Sequence, residues 1–92
     1  MRELLENTAQ RAISYLESLP ERRVSPSVEA VANLAVLNQP LTDEPTPPEE
    51  VIRVLDEVCS PATMAMAGPR FFGFVLGGSL PATVAANWLA GA

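Results

Sequence analysis

Apolar residues recur along the first part of this chain at the spacing of one helix face. Leu5, Ala9, Ala12, Leu16 and Leu19 follow a 4,3,4,3 rhythm with Ile13 beside them, and Glu3, Glu6, Gln10, Arg11 and Glu17 lie mainly off that stripe. The pattern predicts an amphipathic helix over residues 3–19, closed by Pro20. A second, shorter helix is predicted over 28–37. Val28, Val31, Ala32, Ala35 and Val36 share one of its sides, and Ser25 and Pro26 stand at its N-cap and first position. The stretch Leu41–Pro48 is a rigid acidic linker, too rich in proline for helix or ladder. Thr46-Pro47-Pro48-Glu49 then reads as a capping box with Thr46 at the N-cap. It opens a helix whose inner face is Val51, Ile52, Leu55, Val58 and Cys59, running out to Ser60-Pro61. Ser60 to Thr63 reads as another cap, followed by a short turn with Met64 and Met66 as fillers.

The pattern changes after Arg70, the last charged residue. All three phenylalanines fall within Phe71–Phe74, and three of the five glycines within Gly73–Gly78. Phe71–Val75 has extended, aromatic character and Leu76–Ser79 reads as a loop. Ser79 is placed to cap a last helix, Pro81 to Leu89. The segment from Phe71 onward is uncharged and long enough to raise a membrane span. Its glycines, Pro81, Ser79, Thr83 and Asn87 divide it into two pieces too short to cross, so no membrane contact is expected. The sequence closes at its most apolar point, which leads us to expect the front part of a larger protein. We expect a helical packing segment over 1–67 and an aromatic, glycine-rich loop with the start of the next helix over 68–92.

Composition narrows the chemistry. Ninety-two residues allow one small domain, and a net charge of -5 with six arginines and no lysine argues against nucleic acid as a partner. With no histidine and one cysteine, no internal disulfide, zinc site, Ser-His or Cys-His pair or Schiff-base lysine can be assembled within these residues. The lone Cys59 reads as a small buried hydrophobe. Together with an amphipathic, acid-bearing N-terminus it fits a cytoplasmic protein. The carboxylates are numerous but have no surroundings that would separate their pKa values, so none is assigned acid–base work. Gly77-Gly78-Ser79 before a helix is a weak anion signal, lacking the lysine of a phosphate loop. The glycines are better suited to close backbone approach, with Phe71, Phe72 and Phe74 as apolar wall and Arg70 as a candidate partner for a carboxylate.

The segment GPRFFGFVLGGSLPATVAANWLAGA resembles the N-terminal signature of the group II pyridoxal-phosphate-dependent decarboxylases, the aromatic-amino-acid-decarboxylase-like family. Val24-Ser-Pro-Ser-Val-Glu29, the proline linker and the helix running into Ser60-Pro-Ala-Thr63 are similar in order and spacing, so the resemblance covers nearly the whole chain. It is nearest to bacterial members with Arg-Phe-Phe-Gly-Phe. The animal enzymes carry Tyr where Arg70 stands and have a slightly longer loop.

The resemblance implies a mainly α N-terminal segment of a type I PLP-dependent transferase-like fold, α/β when whole. It also implies a homodimer with active sites between subunits, in which these helices pack against the remainder of their own chain and across the partner. The cofactor implied is pyridoxal 5'-phosphate and the substrate an amino acid. Phe71, Phe72, Gly77 and Gly78 would line the substrate pocket, with Leu76 the alternative if the shorter loop shifts the match by one. The cofactor lysine, its acidic partner and the stacking histidine belong to motifs outside these residues. Two rival readings remain open: a helical interaction module with no activity, and a PLP enzyme of the same fold with other chemistry, such as oxidative deamination or a carbon–sulfur step.

Overall fold

A computed structural model describes all 92 residues. It is mainly helical and contains no β-strand. The elements are α1 (Arg2–Ser18), α2 (Val28–Asn33) continued by a 3₁₀ turn (Leu34–Leu37), and α3 (Pro48–Val54) continued by a π-helical segment (Leu55–Cys59) and a 3₁₀ turn (Ser60–Ala62). A last helix, α4 (Pro81–Gly91), follows the loop. No helix is long and apolar enough to cross a membrane.

Helix α1 forms where the periodicity predicts it, and most of the apolar stripe faces the rest of the chain. Leu19 is buried and Ala9, Ala12 and Leu16 are half-buried, with Leu4, Thr8, Arg11 and Tyr15 half-buried beside them, whereas Leu5 and Ile13 are exposed. Polar contacts pin one edge of that face. The Arg11 guanidinium donates to Asp56 at 2.6 Å and Glu57 at 3.2 Å, fastening α1 to the π segment through the edge of the stripe. Arg53 continues the network, bonding Glu50 through two nitrogens at 2.6 and 2.8 Å and Glu57 at 3.0 Å. Hydrogen bonds from Arg53 and then Arg11 hold the Glu57 carboxyl below its ordinary pKa, and Arg53 does the same to Glu50.

Three helix starts differ from expectation. For α2 the cap is Ser27, whose hydroxyl accepts from the Ala30 N–H at 3.1 Å; Ser25 and Pro26 lie before it. The face of α2 is also reversed. Ala30 is buried beneath the Ser60–Ala62 turn, while Val28, Val31 and Val36 point outward. No capping box forms at α3. The helix begins one residue later than predicted, with Pro48 at its first position and Pro47, which has no hydroxyl, at the cap. Glu50, now the third residue, binds Arg53 rather than reaching back. At α4 the cap is Leu80 and not Ser79, and no side chain satisfies the first turn.

The π segment has an identifiable origin. The Ser60 N–H donates to the Leu55 carbonyl five residues back, widening the helix just before Pro61. A proline ring clashes with the carbonyl four residues earlier, here that of Glu57, and the wider turn moves that carbonyl aside. Along this run Val51 and Leu55 are exposed, while Ile52, Val54, Val58 and Cys59 are half-buried.

The packed centre is small. Leu19 (7 % exposed), Ala30 and Ala65 (1 %) are the only buried residues. Ala65 is held by its N–H to the Val24 carbonyl at 2.9 Å, which joins the α1–α2 connector to the segment before the loop. The radius of gyration is 15.0 Å, where a compact domain of this length has about 12 Å. The chain exposes 7392 Å², against about 5,200 Å² for a compact monomer of 9.8 kDa. This is a spread helical shell rather than a closed globule.

Candidate functional site

The loop between the centre and α4 is built as a series of turns. Gly68 N–H returns to the Ala65 carbonyl at 3.1 Å, Phe71 N–H to Gly68 at 3.4 Å, and Leu76 N–H to Gly73 at 3.3 Å. A side chain at Gly68 would press on the Ala65 carbonyl at 3.2 Å and the Leu19 carbonyl at 3.4 Å, so the loop leaves the centre through a gap that suits glycine.

The aromatic run is not extended as its composition predicts. Phe74 and Val75 form the middle of the Gly73–Leu76 turn with φ of 56° and 55°. Two successive positive φ values mark a type I′ turn, whose ordinary residues are Gly, Asn and Asp. A β-branched residue in this region is an outlier, and such strain costs on the order of 1–3 kcal/mol per residue. Turn formation brings Phe74 back over Phe71, with ring centroids 6.2 Å apart and planes 25° from parallel. It also brings the tip of the Phe71 ring against Gly73: a Cβ there would lie 2.8 Å from the ring, which would have to shift. Sequence reasoning passed over Gly73, although a glycine amid aromatic residues is a signal for close ring approach.

The predicted pocket residues are strung along this loop rather than gathered. Phe71 is half-buried under Phe74, while Phe72 stands 94 % exposed on the other side. Gly77 has no atom within 4 Å of where a side chain would project, and Gly78 meets only the Ala67 carbonyl at 3.7 Å. Neither has a positive φ, so nothing within these residues demands glycine at either place. None of Phe71, Phe72, Gly77 and Gly78 lines the clefts nearby.

Two apolar grooves lie beside the loop. One, of about 410 Å³, runs between Leu16 and Leu19 of the α1 end and Pro81, Val84, Ala85 and Trp88 of α4. The second, of about 370 Å³, lies where Ala12, Leu16, Ile52 and Leu55 face Val84 and Trp88. Trp88 borders both, so α4 rests on the other helices without closing over them.

The polar corner beside the loop is ordered by arginines. Arg22 donates to the Ser60 carbonyl at 2.6 Å and its guanidinium stands 4.8 Å from the centre of the Tyr15 ring. Arg70 donates to the Arg22 carbonyl. It therefore serves here as a loop tether. No group of three Cys, Asp or Glu side chains is placed to hold a metal ion. No protein-family model, curated protein or solved structure matches the chain.

Proposed function

We propose that this chain is a docking segment of a pyridoxal-phosphate-dependent amino-acid decarboxylase, supplying subunit contacts and part of the substrate-pocket wall. The observation that carries the docking role is the surface. An excess of about 2,200 Å² over a compact monomer is surface that the remainder of a longer chain and a second subunit, whose share of an obligate interface is about 1,000–2,500 Å², would cover together. The loop supports a wall role in the same way. Phe72 and Val75 are uncovered, and Gly77 and Gly78 leave backbone open to approach where this chain has no need of it. The reaction class rests on the resemblance of residues 68–92.

The residues present do not fit the cofactor as its holders: they include no lysine or histidine, and the loop offers apolar rings and bare backbone. Their contribution is to exclude water and to shape the space a substrate enters. When bound, pyridoxal phosphate supplies the electron sink that decarboxylation requires.

The test uses the full-length protein, loaded with pyridoxal phosphate and assayed for carbon dioxide release across aromatic, acidic and small amino acids. Release that falls with Phe72→Ala through a raised KM supports the reading. Turnover of an amino acid without carbon dioxide release would favour a relative of the same fold with other chemistry. No cofactor uptake, with tight capture of another protein through the apolar grooves, would favour the non-enzymatic interaction module.

A further inference from the structure

The turn at Gly73–Leu76 is held by little and opposed by more. What holds it is the Leu76 N–H bond to the Gly73 carbonyl at 3.3 Å, beyond the usual range of about 2.7–3.2 Å, and the Phe74 ring against Phe71 at 6.2 Å. What opposes it is two successive L-residues in the left-handed region, Phe74 and the β-branched Val75, each disfavoured there by about ten-fold. Backbone strain of this kind persists only where the surroundings over-determine it. Here they do not. Phe74 and Val75 are both exposed, and no backbone N–H of residues 72–75 or 77–80 donates a hydrogen bond within the chain.

We infer that residues 71–78 form a two-state loop. One state is the closed turn of this structure. In the other, Phe74 and Val75 return to negative φ, the bond from Leu76 to Gly73 breaks, and Phe74 leaves Phe71. The run Phe71–Val75 then takes the extended backbone that its composition favours. Opening lengthens the Gly73–Leu76 span from under about 7 Å to about 10 Å. Gly77 and Gly78 can take up that length, since they have open space about them and no backbone N–H bond, which gives these glycines a use that the closed turn lacks. The upstream end stays fixed by the turns from Gly68 to Ala65 and from Phe71 to Gly68, and the downstream end by the Leu80 cap of α4. The closed state covers the Phe71 ring with Phe74, and the open state bares it. This goes beyond the proposed wall role, which concerns where the loop lies and not whether it moves.

Two variants of the full-length protein hold the loop in opposite states. Val75→Gly relieves the strain and favours the closed turn. Val75→Pro fixes φ at about −65° and drives Phe74 before it to extended backbone, so it favours the open state. The N–H that proline lacks donates to nothing here. With 4-fluorophenylalanine in place of Phe74, fluorine NMR reads the position of that ring. Wild type is expected to give two signals matching those of the variants, or one averaged line between them. Its open fraction should exceed that of Val75→Gly by about three-fold.

A wild-type signal coincident with that of Val75→Gly overturns the inference, because the turn is then a single state. Coincidence with Val75→Pro overturns it from the other side, and so does one common signal in both variants. Where Val75→Pro does not fold, hydrogen exchange at the Leu76 amide decides. Corrected for sequence, it should run about three-fold faster in wild type than in Val75→Gly, and equal rates overturn the inference. Failure of the wall reading shows separately: two loop states with the same KM for substrate in both variants keep the switch and remove the wall.

Discussion

Val75 offers a test in which strain is isolated from packing. Its φ of 55° places a β-branched residue in the left-handed region, and its side chain is 105 % exposed, so replacement removes no contact. An L-residue pays about 1–2 kcal/mol there, and glycine forgoes about 0.5–1 kcal/mol through its freer unfolded chain. Val75→Gly is therefore expected to stabilise the protein by roughly 0.5–1 kcal/mol. With a urea dependence of about 1 kcal/mol per molar for a chain of this size, the midpoint moves up by about 0.5–1 M. Unfolding followed by the fluorescence of Trp88, the chain's one tryptophan, reads this shift. Phe74→Gly is the internal control. It relieves the same φ but gives up the ring stack on Phe71, worth about 0.5–1.5 kcal/mol, so its net change is expected to lie near zero. A Val75→Gly protein no more stable than wild type would refute the turn geometry from which the argument starts.

Other consequences concern the caps, the ion network and the loop. Ser27→Ala should cost about 1 kcal/mol by urea titration because it removes the α2 cap, whereas Thr46→Ala, outside the α3 cap, should leave the midpoint unchanged. The carboxyls of Glu50 and Glu57 have folded pKa values below the ordinary 4.5, so their contribution is present above that pH and is lost as pH falls through the lower folded values. Arg11 and Arg53 stay charged throughout, and circular-dichroism melts in acid should show Arg11→Met with a smaller loss than wild type. Gly73→Ala puts a methyl 2.8 Å from the tip of the Phe71 ring, and the shift of that ring off Phe74 should weaken the near-ultraviolet aromatic signal of the loop.

The sequence by itself determined where the helices lie. A 3.6-residue rhythm, Pro20, Pro48 and Pro81 at boundaries, and a proline arm at 40–48 are local instructions, written in φ restriction and missing N–H groups. It also determined which chemistries these residues cannot perform, since no lysine or histidine is available. Only the tertiary structure decided which face of α2 is inside and which edge of the α1 stripe is pinned. Apolar periodicity finds a stripe but not its neighbour. The Arg11 bridge to Asp56 and Glu57 spans about 45 residues of chain and pins one edge of the α1 stripe, and Ala30, not the valines, fits under the Ser60–Ala62 turn. The loop differs for a related reason. Phe71–Val75 has the composition of a strand, but a strand needs a neighbour for its N–H and C=O groups, and none lies beside it. Its backbone closes on itself instead, stacking Phe74 on Phe71 and leaving Phe72 exposed.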